Sequence, residues 1–141
     1  MQATLALTDA PDPSLRAMLG EGLRIHNLGA AGYSDWRALA VVVADAANGE
    51  TVGGLLGRTS LGVLFIDLVH LPAALRGQGV GREMIGMAEA EARARGCRAG
   101  MLYTITLQAP GFYEKLGWRE FGRIPCDPPG NARVFFRKDF A

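Results

Sequence analysis

The segment Leu75-Arg76-Gly77-Gln78-Gly79-Val80-Gly81-Arg82 lies between an apolar stretch, Val63–Leu71, and a helical pattern, Val80–Arg95. The apolar stretch predicts a strand buried on both faces, so the segment is a glycine-rich turn from a strand to a helix. Glycines let backbone N–H groups crowd around a ligand, and a helix N-terminus adds free donors. Arg76 and Arg82 add charge suited to phosphate oxygens. The segment therefore predicts an anion-binding turn, although glycine spacing alone fits a tight turn with surface arginines equally well.

Two common phosphate-binding motifs do not fit this turn. A Walker loop ends in Gly-Lys followed by Ser or Thr, and the turn has no such ending. A dinucleotide-binding turn reads G-x-G-x-x-G and is followed about 20 residues later by an acidic residue. Here the spacing is G-x-G-x-G, and the next predicted strand ends in Thr104 and Thr106 without an acid. A third kind of site is therefore needed.

Length, composition and charge narrow the class of protein. The chain has 141 residues, with 49% hydrophobic and 21% charged residues, which is the balance of one ordinary globular domain over residues 1–141. The net charge is +1 and the basic residues are scattered, which disfavours nucleic-acid binding. Its 19 glycines follow no period, so they are expected in turns or at close approaches to the backbone.

The hydrophobic pattern predicts a mixed α/β fold. The predicted helices run from Ser14, the candidate N-cap, to about Asn27 (interrupted at Gly20 and Gly22), over Val80–Arg95, and from Pro110 or Gly111 to Leu116. In the second helix the pairs Glu89/Arg93 and Glu91/Arg95 are expected on the side away from the apolar face. Asn48-Gly49 predicts a two-residue hairpin, and a second turn is expected at Arg58–Ser60. The predicted strands are Ala3–Leu7, Ala38–Asp45, Thr51–Gly57, Val63–Leu71, Arg98–Thr106, Trp118–Ile124 and Arg133–Lys138.

Cysteines, histidines and the N-terminus carry little functional signal. Cys97 and Cys126 have no metal-ligand or CxxC spacing and are expected to be free thiols. His26 and His70 are too isolated to indicate a metal site. The N-terminus lacks the pattern of a signal peptide, and charges interrupt the longest apolar stretch. We therefore expect a cytoplasmic protein with no metal and no membrane contact.

Two motifs together resemble those of the GNAT N-acetyltransferase superfamily. Arg76-Gly77-Gln78-Gly79-Val80-Gly81 matches its acetyl-CoA pyrophosphate motif, R/Q-x-x-G-x-G/A. Ala109-Pro110-Gly111-Phe112-Tyr113-Glu114-Lys115-Leu116-Gly117-Trp118 resembles its second signature, A-x-x-F-Y-x-K-x-G-F. One predicted helix and one strand separate the motifs, as in the family. The resemblance covers the whole chain, because length and element order also match.

The resemblance implies a mostly antiparallel seven-stranded sheet with flanking helices and one parallel, splayed strand pair. Acetyl-CoA, as co-substrate, would lie between the splayed strands. The implied cofactor-binding residues are Leu71, whose backbone would also polarise the thioester, and Arg76, Gly77, Gln78, Gly79, Val80, Gly81 and Arg82 at the pyrophosphate. Thr106 stands where the family often has a cofactor-bonding Asn; either Thr106 or Gln108 would replace that contact.

Tyr113 matches the family position that protonates the departing CoA thiolate. A phenol of pKa about 10 carries its proton at neutral pH and can donate it to a thiolate of pKa about 8.5 or higher. The general base is open among Asp67, Glu83, His70 and an ordered water. Asp67 is the first choice, because a carboxylate within so apolar a strand needs a reason, although a structural hydrogen bond would also provide one.

The resemblance implies transfer of acetyl from acetyl-CoA to a primary amine, which we expect to occur by direct attack in a ternary complex. We expect a small-molecule amine, approached past the loop Pro125–Asn131 and His26–Trp36. Two alternatives remain, a protein or peptide amine as acceptor and a non-catalytic acyl-CoA-binding module. A homodimer through a strand or through Val134-Phe135-Phe136 is a further expectation.

Overall fold

The computed structural model describes residues 1–140 and contains two compact units, Met1–Ser34 and a second that begins at Asp35. The first unit contains one helix, α1 (Pro13–Ala31). Asp12 caps this helix, because its carboxylate accepts the Ser14 backbone N–H at 2.9 Å, and Pro13 suits the first turn. Ser14 is therefore not the cap. The helix runs through Gly20 and Gly22 and past Asn27, since a helical glycine costs only about 1 kcal/mol.

The predicted strand Ala3–Leu7 is wrong. These residues form no regular secondary structure, and Leu5 and Leu7 are fully exposed. Alternation over five residues indicates a strand only where a neighbouring strand pairs with its backbone, and this segment has no such partner in the described chain. The sheet accordingly has six strands within residues 1–140 and not seven.

The second unit confirms the predicted mixed α/β fold. Its elements are β1 (Arg37–Ala44), β2 (Thr51–Ser60), β3 (Val63–His70), α2 (Val80–Ala94), β4 (Ala99–Ile105), α3 (Pro110–Lys115), β5 (Arg119–Cys126) and β6 (Asn131–Asp139). The strands lie in the order β1-β2-β3-β4-β6-β5, and every neighbouring pair is antiparallel except β3 and β4. Helix α2 crosses between β3 and β4, as a parallel pair requires.

The connections between the first three strands differ from the prediction. The β1–β2 loop is longer than two residues, because Ala44 pairs with Thr51 and the Asp45 N–H bonds to the Glu50 carbonyl at 2.8 Å. Arg58–Ser60 is part of β2 and not a turn. The chain reverses instead at Leu61 and Gly62, both of which have positive φ.

Strands β3 and β4 are paired over only part of their length. Val63–Ile66 lies in parallel register with Ala99–Leu102, and no further pair joins these two strands in the described chain. The inner backbone groups beyond Ile66 and Leu102 therefore have no strand partner. This divergence is the splayed pair that the sequence predicted.

The core lies between α2 and one face of the sheet. Met84, Ile85, Ala88 and Ala92 are buried, which confirms the predicted apolar face of α2. Strand β3 is buried on one face and not on both: Leu64 and Ile66 are inside, whereas Val63 is 38% exposed. Val134 and Phe136 are fully buried in this core, whereas Phe135 between them is only partly buried.

The two ion pairs predicted on the surface of α2 also involve contacts with other elements of the fold. The Glu89 side chain is buried and pairs with Lys138 of β6 at 2.7 Å and with Arg93 at 3.9 Å. Lys138 also donates to the Leu116 carbonyl at the end of α3 at 2.7 Å. Arg95 bonds to Glu91, and its guanidinium also reaches the Thr59 hydroxyl at 3.1 Å. These contacts join α2 to the sheet and to α3.

Candidate active site

The diverging ends of β3 and β4 open into a cavity of about 620 Å³. The residues after β3, the glycine turn, the start of α2, and α3 all contribute to its wall. The lining residues are Val69, His70, Leu71, Arg76, Gly77, Gly79, Gly81, Arg82, Thr104, Leu107, Gln108, Ala109, Phe112 and Tyr113. The structure thus brings both sequence motifs to one site.

The glycine turn presents its backbone to this cavity. Gly77 and Gly79 have φ of 76° and 84°, and no atom would lie within 4 Å of a Cβ added at either residue. These left-handed conformations are why glycine is needed here. Gly79 is the residue that precedes α2, so the free N–H groups of the first helical turn and the positive end of its dipole lie beside the turn. This arrangement fits an anion such as a pyrophosphate.

Gly81 has a different reason to be glycine. It is buried in α2, and a Cβ there would lie 3.0 Å from the ring of Phe112. The residue therefore allows α2 to pack closely against α3. Gln78 and Val80 do not line the cavity, and the Gln78 amide donates to the Ala74 carbonyl at 2.9 Å. For Gln78 and Val80, the predicted contact with the pyrophosphate could be made only by the backbone.

Leu71 and Arg76 are bonded to each other. The Arg76 guanidinium Nε donates to the Leu71 carbonyl oxygen at 3.1 Å, and both residues line the cavity. Arg82 lines the same wall and forms no ion pair within the described residues. Two guanidinium groups consequently stand beside the turn, one of them folded back onto the end of β3.

Tyr113 stands where two cavities meet. A second cavity of about 200 Å³ lies in the gap between the strands, and Val69, Thr104, Gln108 and Tyr113 line both cavities. The Tyr113 ring packs edge-on against Phe112, with centroids 5.1 Å apart. Burial raises the pKa of the Tyr113 phenol above its ordinary value, so the group holds its proton at neutral pH.

Thr106 and Gln108 occupy different places. The Thr106 hydroxyl donates to the Asn131 side chain at 2.9 Å and accepts the Ala132 N–H at 3.0 Å, and Thr106 lines neither cavity. The Thr106 hydroxyl already joins the end of β4 to β6, which argues against the predicted contact of Thr106 with the cofactor. Gln108 lines both cavities, and its side-chain oxygen accepts the Thr104 hydroxyl at 2.7 Å, which leaves its amide N–H groups for a ligand.

Asp67 lies on a β-bulge at the second cavity. Leu56 pairs with Leu68 and Gly57 with Ile66, so the register of β3 skips Asp67. The residue is exposed and not buried as its apolar neighbours suggested, which removes the expected burial cost of its charge. Of the other candidate bases, His70 lines the first cavity, whereas Glu83 lines neither.

Sequence reasoning missed Arg133, Tyr103 and Phe112 as site residues. Arg133 and Tyr103 line the second cavity from β6 and β4, and Phe112 lines the first cavity from α3. Phe112 belongs to the second motif and could have been found there. No local pattern marks Arg133, because only the adjacency of β6 to β4 brings it to the gap.

Other chemistry has little support among the described residues. No group of three or more His, Cys, Asp and Glu side chains within residues 1–140 is arranged to hold a metal ion. Cys97 and Cys126 are free and line neither cavity, and burial raises the pKa of the Cys97 thiol, which makes it a poorer nucleophile. None of the helices in residues 1–140 is long and apolar enough to cross a membrane.

Comparison with known proteins finds a family model and two relatives that are all acetyltransferases. The Acetyltransferase (GNAT) family model matches residues 7–118. An acetyltransferase of Agrobacterium fabrum is 34% identical over 95% of this chain and 97% of its own length. Blasticidin-S acetyltransferase of Streptomyces morookaense is 43% identical over 59% of this chain and 62% of its own length.

Solved structures show the same fold. The crystal structure of a protein assigned as an acetyltransferase from Agrobacterium tumefaciens has a TM-score of 0.86 at 31% identity, with 98% of this chain and 100% of that chain covered. A Bacillus anthracis protein assigned as a streptothricin acetyltransferase, in complex with acetyl coenzyme A, has a TM-score of 0.63 at 18% identity, covering 74% and 63% of the two chains. The second likeness bears on the fold alone. With its two motifs, its splayed strands and this family match, the chain belongs to the GNAT family of acetyltransferases and is an acyltransferase.

Proposed function

We propose that the protein transfers the acetyl group of acetyl-CoA to a primary amine of a small molecule. The observation that carries this proposal is the meeting of two cavities at Tyr113, one beside the glycine turn and one beside the Asp67 carboxylate. A donor in the first cavity and an acceptor in the second could both reach Tyr113. Direct attack in a ternary complex needs this arrangement.

The first cavity suits acetyl-CoA. The open backbone of Gly77 and Gly79 and the N-terminus of α2 would hold the pyrophosphate, with Arg76 and Arg82 beside it. The unpaired backbone of β3 beyond Ile66 would bond the pantetheine amides as a neighbouring strand does. A backbone N–H at this end of β3 would stabilise negative charge on the thioester oxygen.

Asp67 and Tyr113 supply the proton transfers. Asp67 takes the proton of the acceptor ammonium, directly or through a water, so that the nitrogen can attack. The N–C bond forms, the C–S bond breaks, and Tyr113 donates its phenolic proton to the departing thiolate. The second proton of the attacking nitrogen then leaves through water and restores the Tyr113 phenol, which gives a neutral amide. The raised pKa of Tyr113 keeps this proton available, because the phenol remains neutral until it meets the thiolate. Glu83 is set aside as base, since it lines neither cavity.

A small acceptor is favoured over a protein. The second cavity has a volume of about 200 Å³, which suits a compact amine. One relative of this chain is named as an acetyltransferase of blasticidin-S, a small molecule.

Tyr113→Phe tests the proposal. The variant should lower kcat about 10²- to 10⁴-fold and leave acetyl-CoA affinity near the parent value, because only the phenolic proton is lost. Thiol release across a panel of amines measures kcat, and calorimetry measures acetyl-CoA binding. Tyr103→Phe is the comparison variant: it loses the same atom in the second cavity alone, where weaker acceptor binding would raise KM and leave kcat unchanged.

The possible results separate the alternatives. Unchanged kcat in Tyr113→Phe would refute the role of the phenol as acid. Binding of acetyl-CoA by the parent without turnover of any amine would identify a non-catalytic acyl-CoA-binding module. Turnover of peptides, but of no small-molecule amine, would identify a protein or peptide amine as the acceptor.

A further inference from the structure

Two side chains of opposite charge line the second cavity. Asp67 reaches it from β3 and Arg133 from β6, and the remaining lining residues are uncharged. The cavity is therefore bipolar, with one anion and one cation on its wall. The proposed transfer to an amine uses only the anion, so the cation needs a separate explanation.

Arg133 differs from its neighbours on the same two strands. The other arginines of β5 and β6 each lie within 3 Å of a carboxylate: Arg119 at 2.9 Å and Arg137 at 2.7 Å from Asp139, and Arg123 at 2.9 Å from Glu120. Within residues 1–140, Arg133 has no such partner. Its guanidinium lies 6.0 Å from the centroid of the Tyr103 ring. The five N–H donors of Arg133 are thus available to a ligand.

Arg133 is also held on a rigid part of the sheet. Its backbone lies mid-sheet, in register with Ile105 of β4 on one side and Ile124 of β5 on the other. A guanidinium in such a place is positioned better than one on a loop. Fixed N–H donors of this kind match the two oxygens of a carboxylate.

Asp67 is equally free of partners in the described chain. No side-chain hydrogen bond or ion pair engages its carboxylate there, and the bulge in β3 places it at the cavity. Strand β4 lies between β3 and β6, and neighbouring paired strands are about 4.8 Å apart. The two backbones are therefore roughly 10 Å or more apart, because β3 and β4 diverge here. A small molecule can lie between the two charges.

We propose that the acceptor is a zwitterion, a small amine that also carries a carboxylate, as an amino acid does. This inference rests on the proposed function. The ammonium would lie at Asp67, and the carboxylate would lie at Arg133. An amine without the carboxylate would leave the guanidinium desolvated and unpaired on binding, which a site of this kind penalises.

Matched acceptors test the inference. Alanine, phenylalanine, lysine and arginine are each assayed beside the corresponding amide and decarboxylated amine, with acetyl-CoA saturating. At least one amino acid should exceed its two carboxylate-free counterparts about 10- to 100-fold in kcat/KM. Arg133→Gln should abolish this preference by lowering kcat/KM for the amino acid alone. Arg133→Glu should reverse it towards the amine that carries a second positive charge.

Controls distinguish the possible failures. Arg123→Gln changes an arginine on the adjacent strand that lines neither cavity, and it should keep the parent preference. No preference in the parent, or an equal loss for amino acid and amide in Arg133→Gln, overturns the inference while leaving acetyl transfer to amines intact. Absence of turnover with every amine refutes the proposed function itself, and this inference falls with it.

Discussion

Replacing Lys138 by Met should destabilise the protein by about 3 kcal/mol, because it leaves the Glu89 carboxylate buried without its nearest cation. The Glu89 side chain is 7% exposed and lies 2.7 Å from the Lys138 ammonium. Breaking a buried ion pair from one side costs about 3–5 kcal/mol. The lower value applies here because Lys138 is 23% exposed and Arg93 remains 3.9 Å from the carboxylate.

Thermal unfolding followed by circular dichroism measures the effect. At about 2–4 °C per kcal/mol for a chain of this size, the expected fall in Tm is roughly 6–12 °C. Two controls accompany the variant. Arg137→Met breaks an exposed pair with Asp139 and should change Tm far less. The double variant Lys138→Met/Glu89→Leu should recover most of the loss, since no charge is then left buried.

Two results would refute this reasoning. A fall in Tm of less than about 2 °C for Lys138→Met would mean that Glu89 is solvated or rescued by Arg93. A double variant no more stable than the single one would show that the Lys138 contact with the Leu116 carbonyl, and not the ion pair, carries the stability.

Three further outcomes are expected. Gly86→Ala should raise stability by about 0.5–1 kcal/mol in urea unfolding, because Gly86 lies within α2 with no atom within 4 Å of an added Cβ. Gly79→Ala should weaken acetyl-CoA binding in calorimetry and cost about 1–2 kcal/mol of stability, because its φ of 84° strains any other residue; unchanged affinity would contradict the anion-binding turn. Burial raises the folded-state pKa of Tyr113 above its ordinary value of 10.0, so its contribution to stability is fully present below about pH 10 and is lost as pH rises through the folded-state pKa. The stability of the parent relative to Tyr113→Phe should therefore be constant below about pH 10 and fall above it, and a fall at lower pH would contradict a raised pKa.

The parts of the fold that depend on local pattern could be predicted from the sequence. The apolar face of α2, the glycine turn and the helix of the second motif depend on spacing within a few residues, and all three are present. Ala3–Leu7 failed because alternation reports a face and not a partner strand. The bulge at Asp67 also escaped prediction, since a register shift is a property of two strands together.

The candidate site divides in the same way. The two contiguous motifs that the sequence identified both line the first cavity, although Gln78 and Val80 do not, and the Thr106 hydroxyl bonds to Asn131 far along the chain. The second cavity is lined by Asp67 and Arg133, which come from strands that are distant in sequence. Glu89 looked like a surface acid for the same reason, because its partner Lys138 lies on the last strand.

The short parallel pairing of β3 with β4 has a consequence for folding. The sheet consists of two three-stranded halves, β1-β2-β3 and β4-β6-β5, and the antiparallel halves contain the connections that are closest in sequence. Joining them requires a crossover and forms only the pairs from Val63–Ile66 to Ala99–Leu102. Loop closure makes such pairs slow to form, so we expect each half to become ordered before they join. Acetyl-CoA bonded along both inner edges, as proposed, would then stabilise the junction between two separately ordered halves. Amide exchange at these edges would slow when it binds.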